Sequence, residues 1–316
     1  MIKKTDKIFL AGHNGLVGSA ILRLLRKRKY QNIIVRERYK LDLFDQKKVN
    51  NFLKKTKPKI VIIAAAKVGG IKANNKYRAD FINENLQIQN NLIHGSHING
   101  IDNLIFLGSS CVYPKLSKLP IKEKYLLTGF LEYTNEPYAI AKIAGIKMCE
   151  NYNIQYNRNY ISLMPTNTFG PKDNYNLNNS HFIPAILKKI YLAKINNKNY
   201  IELWGTGKPK REVIYVDDLA SAVIHFMKVR PKDKLINIGS AKEYSIKDYA
   251  NKIIKILNFK MKVKFDDNKK FDGVYSKILD TNLAKKYGWK PKILFKNAIL
   301  KTYKDLMINY NNIRDN

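Results

Sequence analysis

The sequence has little cysteine, few acidic residues for its many basic ones, and no long apolar run. Two cysteines among 316 residues are too few for a disulfide framework, and their unlike contexts predict no metal site. No stretch of eighteen apolar residues is present, so we expect no membrane span and no membrane partner. The basic N-terminus runs straight into a glycine turn, which is typical of a first strand and not of a signal peptide. We therefore expect a cytoplasmic protein.

Basic residues outnumber acidic ones by 58 to 25, which gives a formal net charge of +33. Such an excess can indicate a polyanionic partner such as nucleic acid, or simply a lysine-rich surface. The lysines are spread through every segment, and no nucleic-acid-binding motif accompanies them. We predict no nucleic-acid partner, but a positive field that favours anionic substrates.

Short apolar segments alternate with helical patterns through the first half of the chain. The runs at 32–35 and 59–66 are continuously apolar, as in strands buried on both faces of a parallel sheet. This alternation predicts an α/β fold: a Rossmann-type doubly wound parallel sheet with a smaller C-terminal α/β substrate lobe. The expected domains are 1–165 with about 214–239 for the dinucleotide, and 166–213 with 240–316 for the substrate.

A glycine-rich loop lies between the first predicted strand and the helix that follows it. Glycine lets the backbone turn tightly and approach a pyrophosphate, while a helix N-terminus offers free N–H groups and partial positive charge. The position after a strand makes this pattern more specific than a bare glycine turn. The loop residues that we assign to a dinucleotide cofactor are Gly12, His13, Asn14, Gly15, Leu16, Val17 and Gly18.

Charged residues after the second predicted strand bear on the choice of cofactor. An acidic residue there usually binds the ribose 2′-hydroxyl of NAD, whereas arginine accommodates the 2′-phosphate of NADP. Glu37 lies between Arg36 and Arg38, and the two arginines favour NADP(H). Asp42 and Leu43 follow at a spacing that suits contact with adenine.

Ser109, Tyr138 and Lys142 form a catalytic pattern. Tyr-x-x-x-Lys places both side chains on one face of a helix, one turn apart. A lysine ammonium beside a phenol favours the phenolate, so we expect the pKa of Tyr138 to lie below its usual value and the phenol to exchange a proton with a carbonyl or alcohol. Ser109 ends the fourth predicted strand, at the sheet edge where α/β proteins bind ligands, and it can hydrogen-bond the same oxygen.

Several stretches between about residues 7 and 217 follow one another in an order typical of extended short-chain dehydrogenases. They read AGHNGLVGSAI, AAAKVGGIKANN, FLGSSCVYPK, TNEPYAIAKIAGIKMCE, MPTNTFGPKDNY and NSHFIPA. Together they resemble the GDP-L-fucose synthases, and AAAKVGG and GSSCVYPK are more specific to that family than the glycine loop. In the last third of the chain the resemblance is limited to short stretches such as FDG and KILD.

This resemblance implies a reaction in two parts. C3 and C5 of GDP-4-dehydro-6-deoxy-D-mannose are epimerised, and the C4 ketone is then reduced with NADPH to give GDP-L-fucose. Cys111 and His181 match the family's epimerisation pair, with Cys111 as the base and His181 returning a proton from the opposite face. A thiol can act as a base when cationic neighbours favour its thiolate. Cys149, in contrast, reads as a core residue.

The resemblance also implies further binding residues. An arginine suits a diphosphate because its planar fork can bind two oxygens. The substrate positions implied are Lys189, Trp204, Arg211 and Asp272, and the remaining cofactor positions are Leu107, Gly108, Ser109, Ser110, Lys142, Pro165, Thr166, Asn167, Thr168 and His181.

Other functions remain open on the same sequence. A 4,6-dehydratase or 4-epimerase of the same fold is one alternative, although a dehydratase usually carries Thr and Glu where this chain has Ser110 and Cys111. A non-catalytic dinucleotide sensor is another, but such proteins typically lose the Tyr–Lys pair. The product is GDP-L-fucose or a close stereoisomer.

The resemblance further implies a homodimer. Extended short-chain dehydrogenases commonly pair two long helices of each subunit in a four-helix bundle. Here these are the helix that begins near Asp80 and the helix that carries Tyr138.

Overall fold

The computed structural model describes residues 2–268 and 272–310. Residues 269–271 and 311–316, which belong to the predicted substrate domain, lie outside the described residues. The strands are β1 (Ile8–Ala11), β2 (Ile33–Ile34), β3 (Ile60–Ile63), β4 (Asn103–Leu107), β5 (Asn159–Pro165), β6 (Asn167–Phe169), β7 (Tyr200–Leu203), β8 (Lys210–Tyr215), β9 (Leu235–Ile238), β10 (Glu243–Ser245) and β11 (Lys262–Phe265). The α-helices are α1 (Leu16–Lys27), α2 (Gln46–Thr56), α3 (Ile71–Lys76), α4 (Arg78–Ile98), α5 (Glu136–Tyr156), α6 (Phe182–Ile195), α7 (Val216–Lys228), α8 (Ile246–Ile256), α9 (Asn282–Lys286) and α10 (Phe295–Asn309).

Six parallel strands form the main sheet, in the order β2-β1-β3-β4-β5-β9. The strand order reverses beside β1, which has β2 on one side and β3 on the other. Ligands of such sheets bind outside the carboxyl ends of the strands at this kind of switch point. The glycine loop after β1 and the loop after β3 both lie there. The Rossmann-type fold predicted from the sequence is confirmed.

The apolar runs form strands because both faces of the sheet are covered. Alternate residues of β1 pack into two separate cores: Ile8 and Leu10 face α1 and α7, whereas Phe9 and Ala11 face α2, α4 and α5. Full burial of an aliphatic side chain stabilises the fold by about 1.5–3 kcal/mol. The two layers of helices therefore fix the sheet, and with it the loops at its carboxyl edge.

Two small sheets build the second lobe. The first has the order β10-β8-β6, with β6 parallel and β10 antiparallel to β8. The second pairs β7 with β11 in parallel. Helices α6, α8 and α10 pack together beside them. Because β6 follows β5 after a single residue and β8 leads directly into α7, the two lobes share one continuous backbone at their junction.

The domain boundaries predicted from the sequence stay a prediction. The chain does return to the main sheet through α7 and β9, which lie within the expected 214–239. No helix in the described part of the chain has the length and apolar content needed to cross a bilayer.

Candidate active site

A cavity of about 740 Å³ lies at the carboxyl edge of the main sheet, between that sheet and the second lobe. Its size falls in the range of small-molecule sites, which is roughly 300–1,000 Å³. The loops after β1, β3, β4 and β5 line one side, and residues of α6, β7 and β8 line the other. The cavity is therefore placed by the sheet and closed by the second lobe.

Ser109, Tyr138 and Lys142 all line this cavity. Ser109 lies two residues beyond the end of β4, and its Oγ accepts a hydrogen bond from the backbone N–H of Cys111 at 3.2 Å. Tyr138 lies in the first turn of α5, and Lys142 lies one turn later. The ammonium of Lys142 donates to the carbonyl oxygen of Leu107 at 2.9 Å and lies 5.8 Å from the centre of the Tyr138 ring. The structure thus brings the three predicted residues together.

The expected effect of Lys142 on Tyr138 is wrong for this structure. Burial raises the pKa of Tyr138 well above its usual value, electrostatic interaction with Cys111 raises it further, and a hydrogen bond to Ser109 opposes both. Burial also lowers the pKa of Lys142 to about 7. Lys142 is bonded to a backbone carbonyl and carries less charge than a free lysine, so it does not offset the desolvation of the phenol. Tyr138 consequently keeps its proton at neutral pH.

Cys111 and His181 line the same cavity from different elements. Cys111 lies in the short 3-10 turn Ser110–Val112 that follows β4, and its Sγ accepts from Asn135 Nδ2 at 3.5 Å. His181 is the residue before α6, and its side chain caps no N–H group of that helix. The imidazole is open to the cavity yet surrounded by protein, and this desolvation lowers its pKa. The lowered pKa makes the protonated imidazole of His181 a stronger acid than that of a free histidine.

The segment that carries His181 is held by the loop after β3. The N–H of Gly70 donates to the carbonyl oxygen of Asn179 at 2.8 Å. A Cβ on Gly70 would lie 2.7 Å from the carbonyl oxygen of Ser180, so the backbones meet without room for a side chain. Asn85 fixes the start of this loop by bonding both the N–H and the carbonyl of Lys67, at 3.1 and 3.0 Å.

The glycine loop has the geometry of a tight turn against β3. Gly12 has φ of +85°, and a Cβ there would lie 2.5 Å from the backbone nitrogen of Ala65. A Cβ on Gly18 would lie 2.0 Å from the carbonyl oxygen of Gly12. Gly15, Leu16 and Val17 line the cavity at the N-terminus of α1. That terminus has no side-chain cap and no acidic residue in its first turn, so its positive end is available to an anion.

The predicted substrate residues Lys189, Trp204, Arg211 and Asp272 line the far wall of the cavity. The carboxylate of Asp272 accepts from the backbone N–H of Thr206 at 2.8 Å and from its hydroxyl at 2.9 Å. The guanidinium of Arg211 donates to the carbonyl oxygen of Asp272 at 2.7 Å. Lys189 Nζ lies 5.1 Å from the centre of the Trp204 ring. This wall is therefore cationic and held together by its own hydrogen bonds.

Residues 8–239 match the family described as "NAD dependent epimerase/dehydratase family". A putative GDP-L-fucose synthase 2 of Arabidopsis thaliana is 48% identical, over 96% of this chain and 92% of that protein. The GDP-L-fucose synthase of Escherichia coli K12 is 45% identical, over 98% of this chain and 99% of that protein. The chain belongs to the GDP-L-fucose synthase family. A solved structure of a Campylobacter jejuni GDP-mannoheptose C4 reductase with NADP bound is also similar, with a TM-score of 0.88 and 38% identity over 97% of this chain and all of that one.

The residues beside the glycine loop fit the NADP(H) of this family. The carboxylate of Glu37 receives hydrogen bonds from His13 Nε2 at 3.1 Å and Asn14 Nδ2 at 2.7 Å. Arg36 and Arg38 are exposed on either side of it, and their guanidinium groups lie over the rings of Phe52 and Phe44, at 5.4 and 5.1 Å. Glu37 is thus engaged by the loop, while two cations are available to a 2′-phosphate.

Not every assigned cofactor residue reaches the cavity. The carboxylate of Asp42 accepts from the N–H of Phe44 at 3.1 Å and so shapes its own turn. The cofactor-binding roles of the other positions assigned by motif remain proposals, because the contacts that these residues make in the structure are with other parts of the protein. The assigned residues that do not line the cavity are Gly12, His13, Asn14, Gly18, Arg36, Arg38, Asp42 and Leu43.

Several residues that line the cavity of this member of the GDP-L-fucose synthase family were not identified from the sequence. Burial raises the pKa of Asp173 to about 7, which leaves a carboxyl of unusual basicity in the cavity wall. Most of the missed residues fall inside AAAKVGGIKANN, TNEPY and GPKDNY, so the stretches that carried the family resemblance were also the signal for the site. The missed residues are Lys67, Lys72, Asn74, Glu132, Asn135, Lys172, Asp173 and Lys277.

Proposed function

We propose that this chain converts GDP-4-dehydro-6-deoxy-D-mannose to GDP-L-fucose, by 3,5-epimerisation followed by NADPH-dependent reduction of the C4 ketone. The observation that carries the proposal is that Cys111 and His181 line the same cavity as Ser109, Tyr138 and Lys142. A plain ketoreductase requires only the last three. An epimerase-reductase requires all five, because the same site must both transfer protons at C3 and C5 and reduce the ketone at C4.

The epimerisation is assigned to Cys111 and His181. Protons on C3 and C5 are acidified because removal of either one gives an enolate that extends over the C4 ketone. Cys111 takes such a proton as its thiolate, and His181 returns one to the opposite face of the same carbon. Each cycle moves one proton off the carbon and one proton on, so the sugar is inverted without any change in redox state.

The reduction is assigned to Ser109, Tyr138 and Lys142. When bound, NADPH supplies a hydride. Ser109 and Tyr138 hydrogen-bond the C4 oxygen, and Tyr138 gives it the phenolic proton as the ketone becomes an alcohol. The raised pKa of Tyr138 suits this direction, because a buried phenol keeps its proton until negative charge develops beside it.

The substrate diphosphate is assigned to the cationic wall. Arg211 and Lys189 line the cavity, and Lys72 Nζ lies 3.5 Å from the centre of the Trp204 ring. Burial lowers the pKa of Arg211, but the nearby charges of Asp272 and Cys111 raise it again, so the guanidinium stays charged. Trp204 offers a partly exposed ring for stacking or packing against the nucleotide sugar.

Reduction without epimerisation is the second candidate. The 38% identity to a GDP-mannoheptose C4 reductase favours it, since that protein's name states a C4 reduction on a related GDP-sugar. Both candidate reactions would use Ser109, Tyr138 and Lys142 in this chain, so they differ in the use made of Cys111 and His181.

A product assay separates the two candidates. The chain is incubated with GDP-mannose, a GDP-mannose 4,6-dehydratase and NADPH, and the product sugar is identified by NMR. GDP-L-fucose supports the proposal. A reduced sugar with unchanged C3 and C5 supports the plain reductase, and no NADPH consumption contradicts both.

We also propose that the chain is a cytoplasmic homodimer. Helices α4 and α5 pack side by side, as the bundle requires. On α5, Ile140 and Ile154 are exposed, with 43% and 76% of their surface accessible, and both would be covered by a partner subunit. Light scattering at micromolar concentration tests this, and a monomer would contradict it.

A further inference from the structure

Asn135 precedes α5 at a position where asparagine ordinarily caps a helix. Its side-chain oxygen usually accepts from a backbone N–H two or three residues later. Here Asn135 is the capping residue by position, but its side chain makes no such bond. Pro137 in the first turn lacks an N–H group, so one of the usual donors is missing. Helix capping therefore does not explain this side chain.

The Asn135 amide is directed at Cys111 instead. Nδ2 lies 3.5 Å from Sγ, within the range of a hydrogen bond to sulfur. Both residues line the central cavity, together with Tyr138. The short 3-10 turn Tyr133–Asn135 leads into α5 and delivers the amide to this position.

The two ends of an amide affect a thiol in opposite ways. An N–H group stabilises a thiolate, which only accepts, whereas a carbonyl oxygen accepts from S–H and stabilises the neutral thiol. In Asn135 the Nδ2 end faces the sulfur, and Oδ1 is buried without a hydrogen-bond partner among the described residues. This orientation favours the thiolate.

Tyr138 and Arg211 are ionisable groups that interact with Cys111. Arg211 loses basicity through burial, and the charges of Asp272 and Cys111 partly restore its pKa. Its guanidinium, however, is bonded to the carbonyl oxygens of Asp272 and Val274, at 2.7 and 2.6 Å. Arg211 therefore supplies charge from a distance, and the directional contact to the sulfur comes from Asn135.

We propose that Asn135 is a positioning residue that holds Cys111 as a thiolate and fixes its direction in the cavity. The inference rests on the proposed function for its purpose, since a thiolate is what the removal of a sugar proton requires. The state of the thiol is measurable without any sugar, so the two proposals are tested separately.

The test is the pH dependence of Cys111 alkylation by iodoacetamide in the full-length protein. The chain has two cysteines, and Cys149 is 1% exposed with its pKa raised by burial to about 12, so the native reaction reports Cys111. Cys111→Ser gives the blank. Asn135→Ala should slow alkylation at pH 7 by roughly threefold to tenfold, the loss expected for one hydrogen bond of ordinary strength. Its rate at high pH should match the parent, because the thiol is then fully ionised in both.

Two further variants sharpen the result. Asn135→Asp keeps the size but places a carboxylate at the sulfur, so its alkylation curve should move to higher pH by more than that of Asn135→Ala. It also keeps the test decisive if the alanine variant fails to fold. Thr134→Ala changes the preceding residue of the same turn, which also lines the cavity, and should leave the curve in place.

An unshifted curve in Asn135→Asp, or faster alkylation of Asn135→Ala at pH 7, would overturn the proposal. So would an equal shift in Thr134→Ala, since the effect would then be a general loosening of the turn. With the GDP-ketosugar in D₂O, Asn135→Ala should also move the optimum of proton exchange to higher pH. If the thiol responds as expected but no sugar proton exchanges in the parent protein, the role of Asn135 stands and the proposed epimerisation falls.

Discussion

The residues proposed for reduction and those proposed for proton transfer are held in contrasting ways. Tyr138 and Lys142 lie one turn apart on α5, which packs directly on the main sheet, and Lys142 is 3% exposed. Cys111 and His181 are 70 positions apart and come from a short turn and from the segment before α6. Tyr138 and Lys142 therefore depend on one helix that packs against the sheet. Cys111 and His181 depend on contacts between loops, and therefore on Asn135 and Gly70.

The largest expected effect separates the two chemistries directly. Tyr138→Phe should abolish NADPH oxidation but still exchange substrate protons with D₂O, because the phenol serves only the C4 oxygen. Cys111→Ser should slow that exchange severely, since a hydroxyl is a much weaker base than a thiolate. Loss of one general acid or base typically costs about 10²–10⁴-fold. NADPH absorbance and NMR of deuterium incorporation measure the two activities.

The contrast would disappear if Cys111→Ser exchanged protons at the parent rate. The protein would then be a plain 4-ketoreductase on this fold, and Cys111 would be only a neighbour of Ser109 in the cavity wall. Retained NADPH oxidation in Tyr138→Phe would instead remove the phenol from the reduction.

A smaller effect is expected from Gly70→Ala. The added Cβ would meet the carbonyl oxygen of Ser180 at 2.7 Å, so the segment before His181 must shift. A displacement near 1 Å can cost about 10²-fold in a positioned reaction, and we expect a loss of roughly tenfold to a hundredfold in proton exchange. Tyr138 lies on α5, so reduction of a pre-epimerised ketosugar should change much less.

Gly129→Ala is the matched control for Gly70→Ala. Its Cβ would meet only Pro114 Cβ, at 3.3 Å, on an exposed loop. Equal losses of proton exchange and reduction in Gly70→Ala would show that the loop after β3 supports the whole cavity and not His181 in particular.

A third prediction concerns the cofactor side of the cavity. Arg38→Ala should raise the Michaelis constant for NADPH by roughly tenfold, the scale of one charge-assisted hydrogen bond, and should barely change that for NADH. Lys40→Ala is the control, because Lys40 is an exposed cation of the same segment that lies over the ring of Tyr39. Equal effects of Arg38→Ala on both cofactors would remove Arg38 from the 2′-phosphate.

The spacing of residues in the sequence predicted those parts of the site that lie within a single helix or strand. The spacing of Tyr138 and Lys142, and the apolar runs that became β3 and β4, follow from helix and strand periodicity. The basicity of Tyr138 was mispredicted, because desolvation depends on everything packed around the phenol and not on Lys142 alone.

Tertiary contacts decide the rest of the site. No pattern in the sequence relates Asn135 to Cys111, and only the folded structure shows that the Asn135 amide meets the thiol. Likewise, Gly70 reads as part of a family stretch, and its contact with Asn179 joins segments more than a hundred residues apart. Sequence periodicity carries no information about such pairs.

The smallest expected effect tests how far Lys142 is destabilised by burial. Its pKa falls from 10.5 to about 7 in the folded chain, so between these values the unfolded chain binds more protons and stability rises with pH. At pH 7 the desolvation of Lys142 costs the parent about 4 kcal/mol, whereas a variant that lacks the hydrogen bond to Leu107 loses about 1–3 kcal/mol. Lys142→Met should therefore be more stable than the parent by about 1–3 kcal/mol at pH 7, a rise of a few degrees in Tm. That advantage should shrink as the pH approaches 10.5, because the lysine of the unfolded parent then begins to lose its proton as well. Thermal unfolding of the two proteins at pH 7 and pH 10 measures the difference, in which all other titrating groups cancel. A Met variant that is less stable at pH 7 would show that the bond to Leu107 outweighs the buried charge, and that the helix face bearing Tyr138 is held by Lys142.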